Sequence, residues 1–276
     1  MERIVVGVDE SSAAQAALDW VAARCRARSA EVQVVHVAGR FARDDEKAVR
    51  LLDEARTRLC ERVPDLPVDT RLATGATAQA LTEAADEADL LVIGIDPDRP
   101  LAAALGGWLP LRVAARSTVP VCVVPAGWTE DQAAGGVAVG LAPDDSSTQA
   151  LVRAAEEAAA SGCPLHVVHA WREPDFATDG PASLVTGSRP IVADHRAYLA
   201  DAVTALRERY ADVRIESDLV RATPADALVR GAEGSALIVI GTHHHGVFAG
   251  GFTGSIAQDV LWQTRSPVCI VPRERG

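Results

Sequence analysis

The sequence predicts an α/β protein made of two tandem, doubly wound domains, each a five-stranded parallel sheet covered by helices. Three observations point there. The chain repeats itself, and each copy alternates short Val/Ile-rich runs with amphipathic stretches. Its 276 residues also suit two domains of roughly 100–150 residues, each able to bury its own core.

The repeat is legible segment by segment. IVVGVDESSAAQAAL (Ile4 to Leu18) aligns with VAVGLAPDDSSTQAL (Val137 to Leu151), setting Gly7 on Gly140. With the same offset, VVHV (Val34 to Val37) falls on VVHA (Val167 to Ala170). Further on the offset grows by 14 residues, so that LLVIG (Leu90 to Gly94) matches LIVIG (Leu237 to Gly241) and VPVCVVP matches SPVCIVP. The additional residues follow Trp171, within a stretch from Arg172 to Pro190 rich in Gly, Pro, Asp and Ser, which predicts a loop. Ala126 to Gly136 is small and polar and reads as the linker, giving domains 1–126 and 136–276.

Within the first copy, five apolar runs read as buried parallel strands: Ile4 to Val8, Glu31 to Val37, Val68 to Leu72, Leu90 to Ile93 and Val121 to Val124. Ser11 or Ser12 can cap a helix running to about Arg28. Arg43 to Arg62 carries Val49, Leu52, Ala55 and Leu59 at helical spacing. Strand–helix–strand units of this kind wind right-handedly, and their ligand site lies beyond the carboxyl ends of the strands, at the switch point.

Composition narrows the function. A hydrophobic fraction of 48% with 24% charged residues describes a folded globular chain. No apolar run approaches the roughly 18–20 residues that span a bilayer, and MERIVVGVDE lacks the basic and apolar regions of a secretory signal. No membrane association and a cytoplasmic location are therefore expected. A net charge of −11 with no Lys/Arg cluster argues against nucleic acid, whose binders need a cationic face. The five cysteines show no CxxC pair and read as small core residues.

The richest local signal is IGTHHHGVFAGGFTGSIAQDVLWQT, from Ile240 to Thr264. A strand gives way to a loop holding Gly241, Gly246, Gly250, Gly251 and Gly254, and a helix begins near Ser255. Glycines let backbone N–H groups approach an anion, and a helix N-terminus adds unpaired donors and a positive dipole end. Such a loop also serves as a plain flexible connection. A Walker loop would need Gly-Lys-Ser/Thr, no GxGxxG follows a first strand, and no GxSxG elbow is present.

Taken together, VGVD on a first strand, VVHV or VVHAW on a second, IG…GS after the fourth and a terminal PVCIVP resemble the universal stress protein family in its tandem form. The resemblance implies an adenine-nucleotide alpha-hydrolase-like fold and a regulatory or protective role in stress response. It also implies binding of ATP or a related adenine nucleotide, alone or with Mg²⁺, through a G-x2-G-x9-G-S/T motif, and no catalytic hallmark. In the second copy that motif falls on Gly241, Gly254 and Ser255, with His244 in place of the middle glycine. In the first, Gly94 and Gly107 remain, but Pro97 and Trp108 hold the other two positions. Pro97 removes an N–H donor, so the first loop is expected to bind phosphate poorly. The family's aspartate matches Asp9 in the first copy and Ala142 in the second, and the residues beside the base would be Val37 and Ala170. The nucleotide site expected in the second copy thus comprises Ala142, Ala170, Ile240, Gly241, His243, His244, Gly254, Ser255 and Ile256, with a weaker first-copy site at Asp9, Val37, Gly94 and Gly107.

Other features carry plainer readings. His243 to His245 are adjacent loop residues without further spaced ligands, so no metal site is expected. A protonated histidine there would favour an anion below pH ~6.5. His36 and His169 occupy equivalent strand ends and read as satisfied, partly buried side chains. Trp20, Trp128 and Trp262 read as packing residues, while Trp171 follows the second strand at the mouth of the site. Cys122 and Cys269 match each other in the terminal strands. The resemblance implies that those strands pair within the chain as an internal pseudo-dimer, leaving a homodimer of the whole chain open. The expected function is a nucleotide-responsive binding module acting on a protein partner of unknown identity. The alternatives are a nucleotide-independent interaction protein and, more weakly, an ATP hydrolase with Asp144 or Asp145 as base.

Overall fold

A computed structural model describes residues 1–39, 45–98, 109–143, 147–172, 188–242 and 256–273. The first repeat runs β1 (Glu2–Val8), α1 (Ser12–Ala27), β2 (Ala30–Ala38), α2 (Asp45–Arg62), β3 (Val68–Thr74), α3 (Thr77–Ala84), β4 (Leu90–Ile95), α4 (Leu109–Arg116) and β5 (Val121–Pro125). After a 3₁₀ turn at Glu130–Ala134, the second runs β6 (Val137–Leu141), α5 (Ser147–Ser161), β7 (Leu165–Trp171), α6 (Ser188–Arg209), β8 (Ile215–Arg221), α7 (Pro224–Gly231), β9 (Leu237–Gly241), α8 (Ile256–Gln263) and β10 (Val268–Val271).

The ten strands form one sheet in the order β3-β2-β1-β4-β5-β10-β9-β6-β7-β8. Each repeat is parallel throughout, and the two meet where β5 pairs antiparallel with β10, Cys122 opposite Cys269. The internal pseudo-dimer is thus a continuous sheet. β4 and β5 are apolar on both faces and nearly all buried, as a sheet covered on two sides requires. One core lies under α1, α2, α5 and α6, the other under α3, α4, α7 and α8. Val6, Val34, Val92 and Val139, all 0% exposed, each contribute about 1.5–3 kcal/mol by leaving water.

Ser11 caps α1, its hydroxyl accepting from the Ala14 N–H at 3.1 Å. Several sequence expectations shift. β3 is not a buried strand: it edges the sheet, and Leu72 is 36% exposed. On α2 the inward face is Ala48, Leu52, Ala55 and Leu59, while Val49 points to solvent; 3.6-residue periodicity lets 48 or 49 continue that stripe, and docking selects 48. Cys25, Cys122 and Cys269 are buried, but Cys60 lies on the exposed side of α2. The last three residues of the Arg172–Pro190 stretch form the first turn of α6, where Pro190 is tolerated because first-turn N–H groups lack helical partners. The linker is no loose tether. Thr129 and Gln132 form a capping box, Trp128 is buried, and a Cβ on Gly135 would meet the Gly234 carbonyl oxygen at 2.1 Å.

Across the join, Arg24 donates to both Glu157 (2.7 and 2.8 Å) and Glu2 (2.8 and 2.9 Å). Arg28 and Arg153 stand 2.8 and 2.7 Å from Glu157. Burial alone would raise the Glu157 pKa, yet the Arg24 hydrogen bonds and the surrounding guanidinium charges outweigh it and hold the carboxyl down at about 2.

Candidate nucleotide crevices at the strand ends

In each repeat the strand order reverses between two neighbours, β1 and β4 in the first, β6 and β9 in the second. The carboxyl ends of these strands bound the switch-point crevice. Asp9, Val37 and Gly94 therefore come together at the ends of β1, β2 and β4, as do Ala142, Ala170 and Gly241 at β6, β7 and β9.

In the first crevice Asp9 is already engaged. Its Oδ1 accepts from the Ser11 N–H at 3.0 Å and from the Ser11 hydroxyl, so the carboxylate orients the residue that caps α1. Gly94 has a packing reason to be glycine. A Cβ there would lie 2.3 Å from the backbone C and O of Ala13 in the first turn of α1. Pro97 sits in the turn after β4, and Asp98 beside it binds Arg265 of the second repeat through two hydrogen bonds of 2.8 and 3.1 Å. The Arg265 hydrogen bond lowers the Asp98 pKa. Gly107 and Trp108 lie outside the described residues.

In the second crevice Ala142 takes the place of Asp9, and both of its backbone groups are used internally. Its N–H donates to the Ser147 hydroxyl at 2.7 Å, and its carbonyl accepts from the Tyr198 hydroxyl at 2.9 Å. Ile240 is buried, Ala170 and Gly241 are half-buried at their strand ends, and Ile256 opens α8. The Thr242 N–H donates to Val271 at 3.0 Å, fixing the exit from β9. His243, His244, Gly254 and Ser255, and with them Asp144 and Asp145, lie outside the described residues.

The expectation of satisfied histidines holds. His36 Nδ1 meets the Val8 carbonyl and His169 Nδ1 the Leu141 carbonyl, each at 2.8 Å. His169 goes further: it is fully buried, and its Nε2 lies 2.8 Å from Nδ1 of His195 on α6. Sequence reasoning missed His195 and Tyr198. Their signal is their spacing, one helical turn apart on one face, together with their places in the repeat, where the first copy has Ala48 and Leu51. Trp171 closes the group, its ring 6.3 Å from His195 and under Arg221 at 5.7 Å. Among the described residues no three His, Cys, Asp or Glu side chains are grouped to hold a metal ion, and no helix is long and apolar enough to cross a membrane. A surface cavity of about 630 Å³ opens at the amino ends of β1 to β3, lined by Arg3, Glu31, Asp69 and Glu87. It lies at the opposite end of β1 and β2 from the first crevice.

Fold and strand ends together define a tandem doubly wound α/β protein with one switch-point crevice in each repeat. The universal stress protein family profile matches residues 1–125 and 136–272, and the chain belongs to that family. A universal stress protein of Mycolicibacterium smegmatis is 28% identical over 293 residues, covering 97% of this chain and 96% of that one. The crystal structure of a universal stress protein from Archaeoglobus fulgidus DSM 4304 shares the fold at 17% identity, with a TM-score of 0.76 over 98% of this chain and 96% of its own. Another solved universal stress protein, crystallised in complex with cAMP, is 30% identical over 46% of this chain and 98% of its own, with a TM-score of 0.40.

Proposed function

We propose that the protein is an adenine-nucleotide-binding regulatory module of the stress response, with ATP or a related nucleotide, alone or with Mg²⁺, held mainly by the second repeat. One observation carries this reading. β9 ends at Gly241 and α8 begins at Ile256, so Gly254 and Ser255 stand immediately ahead of a helix N-terminus, where unpaired N–H groups favour phosphate. In this reading bound nucleotide acts through the Gly241–Ser255 loop and the Trp171–Pro190 insertion and changes the surface offered to a partner protein. The action is binding rather than catalysis, in the cytoplasm.

A second reading is favoured by a different observation. The Asp9 carboxylate and both backbone groups of Ala142 are already occupied, as they would be in an interaction protein that has given up its nucleotide. Titration calorimetry with ATP and Mg²⁺ separates the two. The binding reading expects saturable heat, abolished by replacing Gly254 and Ser255 and retained when Gly107 is replaced. Absence of heat and of any thermal shift at millimolar ATP overturns it, since ligand at 100 times Kd adds about 2.7 kcal/mol of stability.

A further inference from the structure

The second repeat holds a cluster without counterpart in the first: His169 on β7, with His195 and Tyr198 on α6. Its hydrogen bonds fix where the protons are. A carbonyl oxygen only accepts, so His169 Nδ1 carries the hydrogen given to Leu141 (2.8 Å). Neutral His169 then presents a lone pair at Nε2, and His195 Nδ1–H donates into it across 2.8 Å. The rings stand 5.0 Å apart, with Tyr198 5.6 Å from His169, and the Tyr198 hydroxyl donates to Ala142 one strand over. Two residues one helical turn apart therefore tie α6 to the carboxyl ends of β6 and β7.

The tie is poorly suited to charge. His169 is 0% exposed, and a proton on its Nε2 would force His195 to give up its Nδ1 hydrogen for the other tautomer and would leave the charge buried. Among the described residues its flanking partners are uncharged: Leu141 opposite it on β6, Leu219 opposite it on β8, and Ser147 from α5 at Ala142. Among the described residues His195 is the one ionisable group acting on it, and no carboxylate compensates a charge there; burial, opposed by the Leu141 hydrogen bond, lowers the His169 pKa. Arg221 lies beyond, over Trp171, and Asp194 and Arg196 on α6 face solvent.

We propose that the His169–His195 pair is a proton-sensing latch, which releases α6 from the ends of β6 and β7 when acid protonates it. The latch belongs to the second repeat alone, because Ala48 and Leu51 stand at the equivalent positions of α2. It opens the second crevice on acidification, and it holds whether or not that crevice binds a nucleotide.

The test is amide hydrogen exchange on the whole, ligand-free chain at pH 7.5 and 5.5, corrected for intrinsic exchange. Once α6 opens, His169 recovers the ordinary histidine pKa near 6.5, so opening becomes more favourable at pH 5.5, by up to about tenfold. Peptides within residues 192–203 should lose protection, by up to about tenfold, while those within residues 46–58 of α2 stay unchanged. His169→Gln, whose amide can donate to Leu141 and accept from His195, should remove the pH step. Tyr198→Phe should lower protection at both pH values and keep the step. Equal protection of α6 at the two pH values, equal acceleration in α2, or a step that survives in His169→Gln would each overturn the latch.

Discussion

Arg24 and Glu157 occupy the same position in the two repeats, and across the join they face each other as the buried ion pair at the centre of the molecule. The alignment that sets Gly7 on Gly140 also sets Arg28 on Ser161, and these two hydrogen-bond at 3.1 Å. Cys122 and Cys269, again equivalent, lie opposite each other in the central strands. The pseudo-twofold axis passes between these pairs. A repeat paired with its own copy would set Arg24 against Arg24 or Glu157 against Glu157, so the charges favour one repeat against the other.

Removing Glu157 should therefore be costly. Glu157→Gln leaves Arg24, Arg28 and Arg153 crowded together, with Glu2 still pairing with Arg24 and Arg153. The expected loss is about 3–5 kcal/mol, as for other buried pairs that lose one partner. Urea denaturation measures it, and a loss below about 1 kcal/mol would contradict the role assigned to the cluster.

The same carboxyl sets an acid limit. Its folded pKa is depressed to about 2, so its stabilising contribution is present above the ordinary glutamate pKa near 4.3 and is lost as pH falls from there towards 2. The thermal midpoint should drop through this window in the wild type, with a shallower slope in Glu157→Gln. Parallel slopes would show that other carboxylates govern acid unfolding.

Gly94→Ala separates packing from phosphate binding. Its new Cβ would enter the Ala13 backbone, and backbone cannot swing aside as a side chain can. The cost should reach about 3 kcal/mol or more. At Gly140 the nearest atom to an added Cβ is Leu228 Cδ2 at 3.4 Å, so Gly140→Ala should cost less than about 1.5 kcal/mol. Thermal melts of the two variants without nucleotide decide this, and similar midpoints would refute the packing account.

The thiols should divide by reactivity. Burial raises the pKa of Cys269 to about 11 and that of Cys122 well above its usual value, and thiolate is the reactive form. Cys60 is exposed. An Ellman assay on the native protein should show Cys60 reacting first, with Cys122 and Cys269 reacting only once the sheet opens. Early modification of either would show that the β5–β10 pairing breathes.

The strands were legible in the sequence because they rest on short-range pattern, and the join followed from the family resemblance. Runs such as Leu90–Ile95 are apolar throughout, and the repeat supplies a second copy to check each one. The family resemblance located the crevices. What escaped depends on three-dimensional partners. Nothing local to Arg24 shows that its own equivalent will face it. Nothing in the helical spacing of α2 chooses Ala48 over Val49. His195 reads as a surface histidine until β7 places His169 beneath it, and Gly94 reads as part of a binding motif until α1 fills the space beside it.

The pairing of β5 with β10 joins two repeats that one polypeptide already connects. Two separate repeats meeting on the same surface would form a bimolecular complex, dissociating as their concentration fell through Kd. Here the partner is delivered at the effective concentration set by a short, ordered connection, which is of millimolar order for short linkers. The join therefore persists at any dilution, and the protein can be scarce in its surroundings without losing its central interface.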